Sequence, residues 1–403
     1  MFLDRLLVHN RPLIDAVLTA HQEGRLLANT YVVDLDTVAR NAAAIAEAAR
    51  ARGLATYVMA KQYGRNPDVT RTAIAAGLGP VVAVDTACLS AATRHGLPVG
   101  HVGHLVQPHR GSEDFVVGAD PEVVTVFSVD TARRIGAAAV RRGGAPVSVL
   151  LRVHGAGDRF YFGHGGGFPA ADVVTAAREV AAVEGVVVHG VTTFPCLLAD
   201  PERREVVATP NLRTVVEAAE RLRAVGFDIR QVNAPGTTSA RSLTIAADAG
   251  ATHVEPGNAI HGTTPLHVFS EAAPEQPAIV YVTEVSHVDG DDAYAFAAGH
   301  YLDKVLGEFQ LTALVGRDVG TATSRVARVD VAPDGAIHYY TVLREARRLG
   351  IRPGDTVVMC YRPQAFVTRG RTQSVAGLHG GDPDAVVWGE RYDAEARVVG
   401  DPS

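Results

Sequence analysis

Lysine is almost absent from this 403-residue chain. Of 38 basic residues only Lys61 and Lys304 are lysine, and arginine supplies the rest. Cysteine is nearly as scarce. Cys88, Cys196 and Cys360 lie too far apart for a disulfide framework or a paired-cysteine zinc motif. No uninterrupted apolar run reaches the ~20 residues that a membrane helix needs. The opening MFLDRLLVHN carries Asp4 and Arg5 inside its apolar stretch, which excludes a signal peptide or anchor of ordinary form. A net charge of −6 leaves no broad basic footprint for nucleic acid or anionic lipid. These absences predict a soluble cytoplasmic protein with no nucleic-acid or membrane partner. They also single out Lys61 and Lys304, because an amine can lose its proton and attack a carbonyl while a guanidinium cannot.

What is present is alternation. Residues 2–22 read as two helices, with leucines and other aliphatics at three-to-four spacing and a fresh start at Asn10 and Pro12. Tyr31 to Asp36 reads as a strand, with Asp36 placed to cap the alanine-rich helix behind it. Eight β-rich runs follow, at 56–60, 80–85, 101–106, 123–129, 147–153, 186–193, 229–233 and 251–255. Helical stretches separate them, among them 37–52, 69–77, 131–142, 170–183 and 211–225. That rhythm predicts a parallel (β/α)8 barrel of TIM type over 37–270. An open doubly wound sheet is the alternative, but no GxGxxG follows the first strand. Past 271 the pattern becomes strands and Gly/Asp/Pro turns, so 271–403 reads as a β-rich domain. Residues 1–36 supply the helices and a strand expected to join it.

The active site of such a barrel lies at the C-terminal strand ends. Lys61 falls there, directly after TYVMA. Two glycine turns close the last two strands: Asn233-Ala-Pro-Gly236-Thr237-Thr238-Ser239, and Glu255-Pro-Gly257-Asn258-Ala259-Ile260-His261-Gly262. Glycine lets backbone N–H groups approach an anion, and loops after strands seven and eight are the usual phosphate site of these barrels. Lys304 reads as a solvated charge. Arg152 and Arg159 are candidate clamps for a carboxylate, since a guanidinium matches one bidentately. Gly163 to Gly167 lacks the Lys-Ser/Thr of a P-loop and reads as a substrate-side loop.

Taken in order, YVVDLDTVARNAA, VMAKQYG, the GTTS turn, VEPGNAIHG and the trailing β domain resemble the fold-type III pyridoxal-phosphate enzymes. That family includes alanine racemase and the ornithine and diaminopimelate decarboxylases, together with D-threonine aldolase and D-serine dehydratase. GHVGHLV and HGTTPLH bring the sequence closest to the YhfX-type, racemase-like branch. The resemblance implies pyridoxal 5'-phosphate held as a Schiff base on Lys61. It places the phosphate against Gly236, Thr237, Thr238, Gly257, Asn258 and Ala259, with His261 beside them, and a histidine on the pyridine ring, best matched by His154 among His101, His104, His154, His164 and His189, which lie near strand ends or loops of the barrel. Glu255 stands where alanine racemases have arginine. A carboxylate there favours the protonated ring nitrogen, as in the decarboxylases.

The decarboxylases' cysteine is missing from Ala297 to Asp303. The same segment sits roughly where alanine racemase places a second base supplied by its partner subunit, which points to Tyr301 or His300. The metal-binding His-x-Cys pair of the aldolase and dehydratase branch is absent around Cys360, so no metal is expected. The implied function is racemisation or epimerisation of an amino acid by α-proton transfer in a homodimer with shared sites. A decarboxylase or lyase of the same fold is the alternative, and a non-catalytic pyridoxal-phosphate protein is a third reading.

Overall fold

The computed structural model describes residues 2–301, 310–333 and 335–400. Lys304 lies outside the described residues. The chain divides into two compact units: residues 42–60 with 74–257, and residues 1–41 with 61–73 and 258–403.

The first unit is built on short valine-rich strands, buried on both faces as parallel strands are when helices cover them. They are Val81–Ala83, Val99–Val102, Val123–Val126, Val147–His154, Val186–Thr192, Gln231–Asn233 and His253–Val254, preceded by a first strand in two pieces, Ala55–Thr56 and Val58–Met59. Each pairs in parallel with its sequence neighbour. The first strand closes the ring, because Ala55–Thr56 pairs with His253–Val254 while Val58–Met59 pairs with Val81–Ala83. An open doubly wound sheet has two edge strands; this ring has none, and the barrel reading stands.

The covering helices form for local reasons. Val129–Arg142 starts at Ser128, whose hydroxyl accepts from Thr131 N–H at 3.1 Å, and stops at Gly143 in the left-handed region with φ +66°. Its buried Ala132, Ile135 and Ala139 recur at three-to-four spacing. The third strand is shorter than the sequence suggests. It ends at Val102 because Gly103 turns to φ +78°, which leaves His104 in the loop beyond the strand end.

In the second unit six antiparallel strands close on themselves: Ile279–Asp289, Asp292–Phe296, Tyr340–Leu343, Val326–Asp330, Leu311–Gly316 and Thr356–Met359, the last returning to the first. Thr30–Asp34 pairs antiparallel to Ile279–Asp289 and parallel to Arg371–Ala376. Helices Phe2–His9 and Arg11–Gln22 cover this sheet with Leu6, Leu13, Ile14, Val17 and Leu18, all fully buried against Val32, Val280, Val282 and Val358. Pro12 sits in the first turn of the second helix, where its missing N–H costs nothing.

One capping expectation is corrected. The helix Leu35–Arg50 begins one residue before Asp36, and its cap is Asp34, whose Oδ1 accepts from the N–H groups of Asp36 and Thr37. Asp36 accepts instead from the N–H groups of Gly377 and Leu378. Asp34 wins because its strand end leaves the carboxylate beside the unpaired N–H groups of the first turn.

Candidate active site

Strand eight ends at Val254 and the chain continues through Glu255 and Pro256. Met59 N–H donates to the Pro256 carbonyl at 2.9 Å, stitching strands one and eight one residue past Glu255 and two residues before Lys61. The Glu255 side chain is 1% exposed. Its Oε1 accepts from Asn233 Nδ2 at 2.8 Å and contacts His101 Nδ1 at 2.7 Å. His101 Nε2 lies 2.5 Å from Thr125 Oγ1. The threonine hydroxyl donates to Nε2, which leaves the His101 proton on Nδ1, facing the carboxylate. Thus strands three, four and seven each send one side chain inward to fix a single oxygen.

The other oxygen is different. Oε2 accepts no hydrogen bond among the described residues, although His104 Nε2 approaches within 3.3 Å. Burial by itself pushes this carboxyl's pKa up. His104, His101 and Asn233 outweigh it and hold the group down at about 2, so it stays an anion. A buried carboxylate with one oxygen unspent is a receptor for a cation or an N–H donor.

Arg152 is the complementary feature. It sits inside strand five, fully buried, between the rings of Phe127 and Phe160 at 5.3 and 5.8 Å. Nη2 donates to the carbonyls of His164 and Phe194, while Nε and Nη1 have no hydrogen-bond partner among the described residues. Burial lowers its pKa to about 10, still far above neutrality. Two buried N–H groups on a permanent cation suit a carboxylate or another small anion. Arg159, the other candidate clamp, is exposed, and its backbone rather than its guanidinium is pinned by Asn211. His154 is half-buried at the end of the same strand as Arg152.

The first glycine turn is shaped by close approach. A Cβ on Gly236 would lie 2.5 Å from Leu197 O and 2.6 Å from Leu197 N, so only glycine fits against that strand. Thr237 N–H is already donated to Leu197 O at 2.9 Å. In the expected phosphate cradle Thr237 would therefore contribute its hydroxyl rather than its amide. Gly236→Ala is expected to lower stability by about 1–3 kcal/mol, read as a fall in the thermal unfolding midpoint, because neither backbone atom can yield. Gly257 ends the barrel unit and is buried.

In the second unit, Asn258 and Ala259 open the second turn; both are buried, and Asn258 Oδ1 takes no hydrogen bond among the described residues. His261 is fully buried, with Nδ1 3.0 Å from Thr263 Oγ1 and its ring edge-on to Tyr63. Lys61 opens the 3-10 turn Lys61–Tyr63, and its Nζ lies 5.8 Å from the Phe366 ring centre. Tyr301 is 54% exposed. His300 is buried, its Nδ1 3.0 Å from Tyr361 Oη, which in turn meets Tyr31 Oη at 2.9 Å. Sequence reasoning named His101, His104 and Arg152 only among several candidates, and it read Asn233 merely as the start of a turn. The usable signal was polarity at inward positions of buried strands; the partners were not readable.

Three histidines, His261 and His300 buried and His253 partly so, predict acid sensitivity. Burial lowers His253 to about 4, and His261 and His300 to about 3. Each is neutral when folded and takes up a proton only after unfolding, so stability is full above about pH 6.5 and falls as pH drops toward 4. The slope is about 1.4 kcal/mol per pH unit for each histidine. The thermal midpoint is expected to be clearly lower at pH 5.5 than at 7.5, and His300→Phe to flatten that difference; a midpoint unchanged across this range contradicts the prediction.

The comparisons agree with this architecture. Residues 33–265 match the family model described as "Alanine racemase, N-terminal domain", and residues 280–385 match "YhfX-like, C-terminal domain". The chain is 36% identical over 403 residues to "Uncharacterized protein YhfX" of Escherichia coli (strain K12), covering 99% of this chain and all of that one. Among solved structures, D-threonine aldolase from Filomicrobium marinum superposes with a TM-score of 0.69 at 16% identity, covering 93% of this chain and 96% of the other. Alanine racemase from Corynebacterium glutamicum gives 0.59 at 16% identity, covering 83% and 90%. At those identities the two structures show the fold alone. The full-length match and the two domain models show the family: this chain belongs to the alanine racemase-fold family, in the branch with a YhfX-like C-terminal domain.

Proposed function

We propose that the protein is a pyridoxal-phosphate-dependent amino-acid racemase or epimerase, with Lys61 carrying the cofactor. The observation that supports this most is Glu255, a buried anion held rigid through Oε1, while Oε2 accepts no hydrogen bond among the described residues and meets only the His104 ring at 3.3 Å. When bound, the cofactor supplies an aldehyde that condenses with amines and a ring that takes up electron density from the substrate's α-carbon. The chain does the rest. Glu255 holds a proton on the ring nitrogen. Gly236, Thr238 and the Gly257–Ala259 turn bind the phosphate, and His154 lies along the ring. Arg152 binds the substrate carboxylate through an unpartnered N–H of its guanidinium, between two aromatic walls that exclude water. The freed Lys61 amine moves the α-proton on one face.

The opposite face needs a second base. His300 is committed to Tyr361 and buried, whereas Tyr301 is exposed, as are Ile337 and Tyr339. Tyr301 is therefore proposed as the second base, reaching the site of a partner copy in a homodimer. A decarboxylase or lyase is the second reading, favoured by a carboxylate rather than an arginine at position 255.

Borohydride reduction of the purified protein followed by peptide mapping is expected to leave a pyridoxyl group on Lys61; an adduct elsewhere, or none, overturns the proposal. Incubation with single-enantiomer amino acids in deuterated water then separates the readings. Inversion with α-deuterium supports racemisation, and release of carbon dioxide, an aldehyde or a keto acid supports the lyase.

A further inference from the structure

His101, His104 and Glu255 form an all-buried group whose ligand atoms lie within 4.8 Å of one another. Two imidazoles and one carboxylate are a common donor set for divalent transition metals. Ligands about 2.05 Å from a tetrahedral ion sit about 3.3 Å apart, and the distance from His104 Nε2 to Glu255 Oε2 is 3.3 Å. Ligation through His101 Nδ1 moves the ring proton to Nε2, which then donates to Thr125 Oγ1, the outer hydrogen bond that metal-binding histidines carry; the bond from Nδ1 to Glu255 Oε1 is exchanged for the metal. The oxygen nearest His104 takes no hydrogen bond among the described residues, so ligation there sacrifices none.

A second acidic-histidine group offers a contrast. Asp34 Oδ2 already accepts from Asn10, Thr37 and His379, and Asp36 Oδ2 from two backbone N–H groups. Those oxygens are spent on the fold. Glu255 Oε2 is not.

We propose that, in the cofactor-free protein, His101, His104 and Glu255 bind one divalent transition-metal ion such as Zn²⁺, and that this ion competes with pyridoxal phosphate for the protein. The metal site stands on the cluster alone; the competition rests on the reading of Glu255 as the ring-nitrogen partner. Metal and ring N–H both require Glu255 Oε2, so occupancy by one excludes the other. Zinc availability then sets how much of the protein is loaded.

The test uses the full chain freed of cofactor. Titration with Zn²⁺ by calorimetry, and with Co²⁺ by visible absorbance, is expected to show one ion per chain. His104→Gln is expected to weaken binding by about a hundredfold or more, and Thr125→Val, which removes only the outer hydrogen bond, by about tenfold; circular dichroism checks that both fold. The apparent dissociation constant for pyridoxal phosphate, read from its absorbance, is expected to rise in proportion to Zn²⁺ and to recover on chelation. Absence of stoichiometric metal binding, or binding that His104→Gln leaves intact, overturns the site. Cofactor loading indifferent to bound Zn²⁺ overturns the competition. Metal-free protein that forms no adduct at Lys61 instead counts against the proposed function and leaves the metal site standing.

Discussion

Lys61→Arg is expected to yield folded protein that retains no pyridoxyl group after borohydride reduction and loses activity by several orders of magnitude. Arginine keeps the charge and most of the length of lysine, so a purely structural cation tolerates the change. The guanidinium stays protonated at any working pH and has no lone pair to give to an aldehyde. The 3-10 turn Lys61–Tyr63 and the ring of Phe366 beside Nζ accept either cation, and the thermal midpoint should move little. Activity on a single-enantiomer substrate and the reduced-peptide map are the two measurements. Near-normal turnover in Lys61→Arg removes the amine from the mechanism.

Glu255→Gln carries the second large effect. The amide is nearly isosteric but neutral, and its NH₂ faces the donors of Asn233 and His101, which were built to meet an acceptor. If the amide turns its oxygen toward them, its NH₂ replaces the bare Oε2 and confronts the ring N–H it should receive. Either orientation loses the charge that, in the proposed function, would keep the cofactor ring protonated. Removing one preorganised electrostatic group of this kind typically costs ~10²–10³ in rate. The expected result is a fall of that size in kcat/KM, with a changed cofactor absorbance and little change in substrate KM. A loss below tenfold means that the reaction proceeds on an unprotonated ring, which would favour simple racemisation over decarboxylation.

How far each of these residues was legible differs for physical reasons. Lys61 was visible because it stands out from a lysine-poor background at a predicted strand end. Glu255 was visible through its place in the EPGNAIHG turn. The helical faces of 2–22 were legible because burial on one side imposes a period of 3.6, and the eight β-rich runs because strands buried on both faces read as short continuous apolar stretches. The strand ends were less so. The third strand stops at Val102 because Gly103 adopts φ +78°, and a glycine's φ cannot be read from its neighbours. The cap at Asp34 was misplaced by two residues because helix ends are set by which carboxylate meets the free N–H groups.

The sequence alone therefore determined the barrel, the β domain that follows it in the chain and the two residues proposed to carry the chemistry. Only the tertiary structure decided how those residues are held. Asn233 and His101 come from strands far apart in the chain, and the ring brings both to one oxygen of Glu255, with Thr125 on the strand beside His101 holding the far side of its ring. The same barrel leaves the other oxygen bare and buries Arg152 with two N–H groups unspent. Local propensity records which residues are apolar or turn-forming; which polar atom meets which is set by strand order and register.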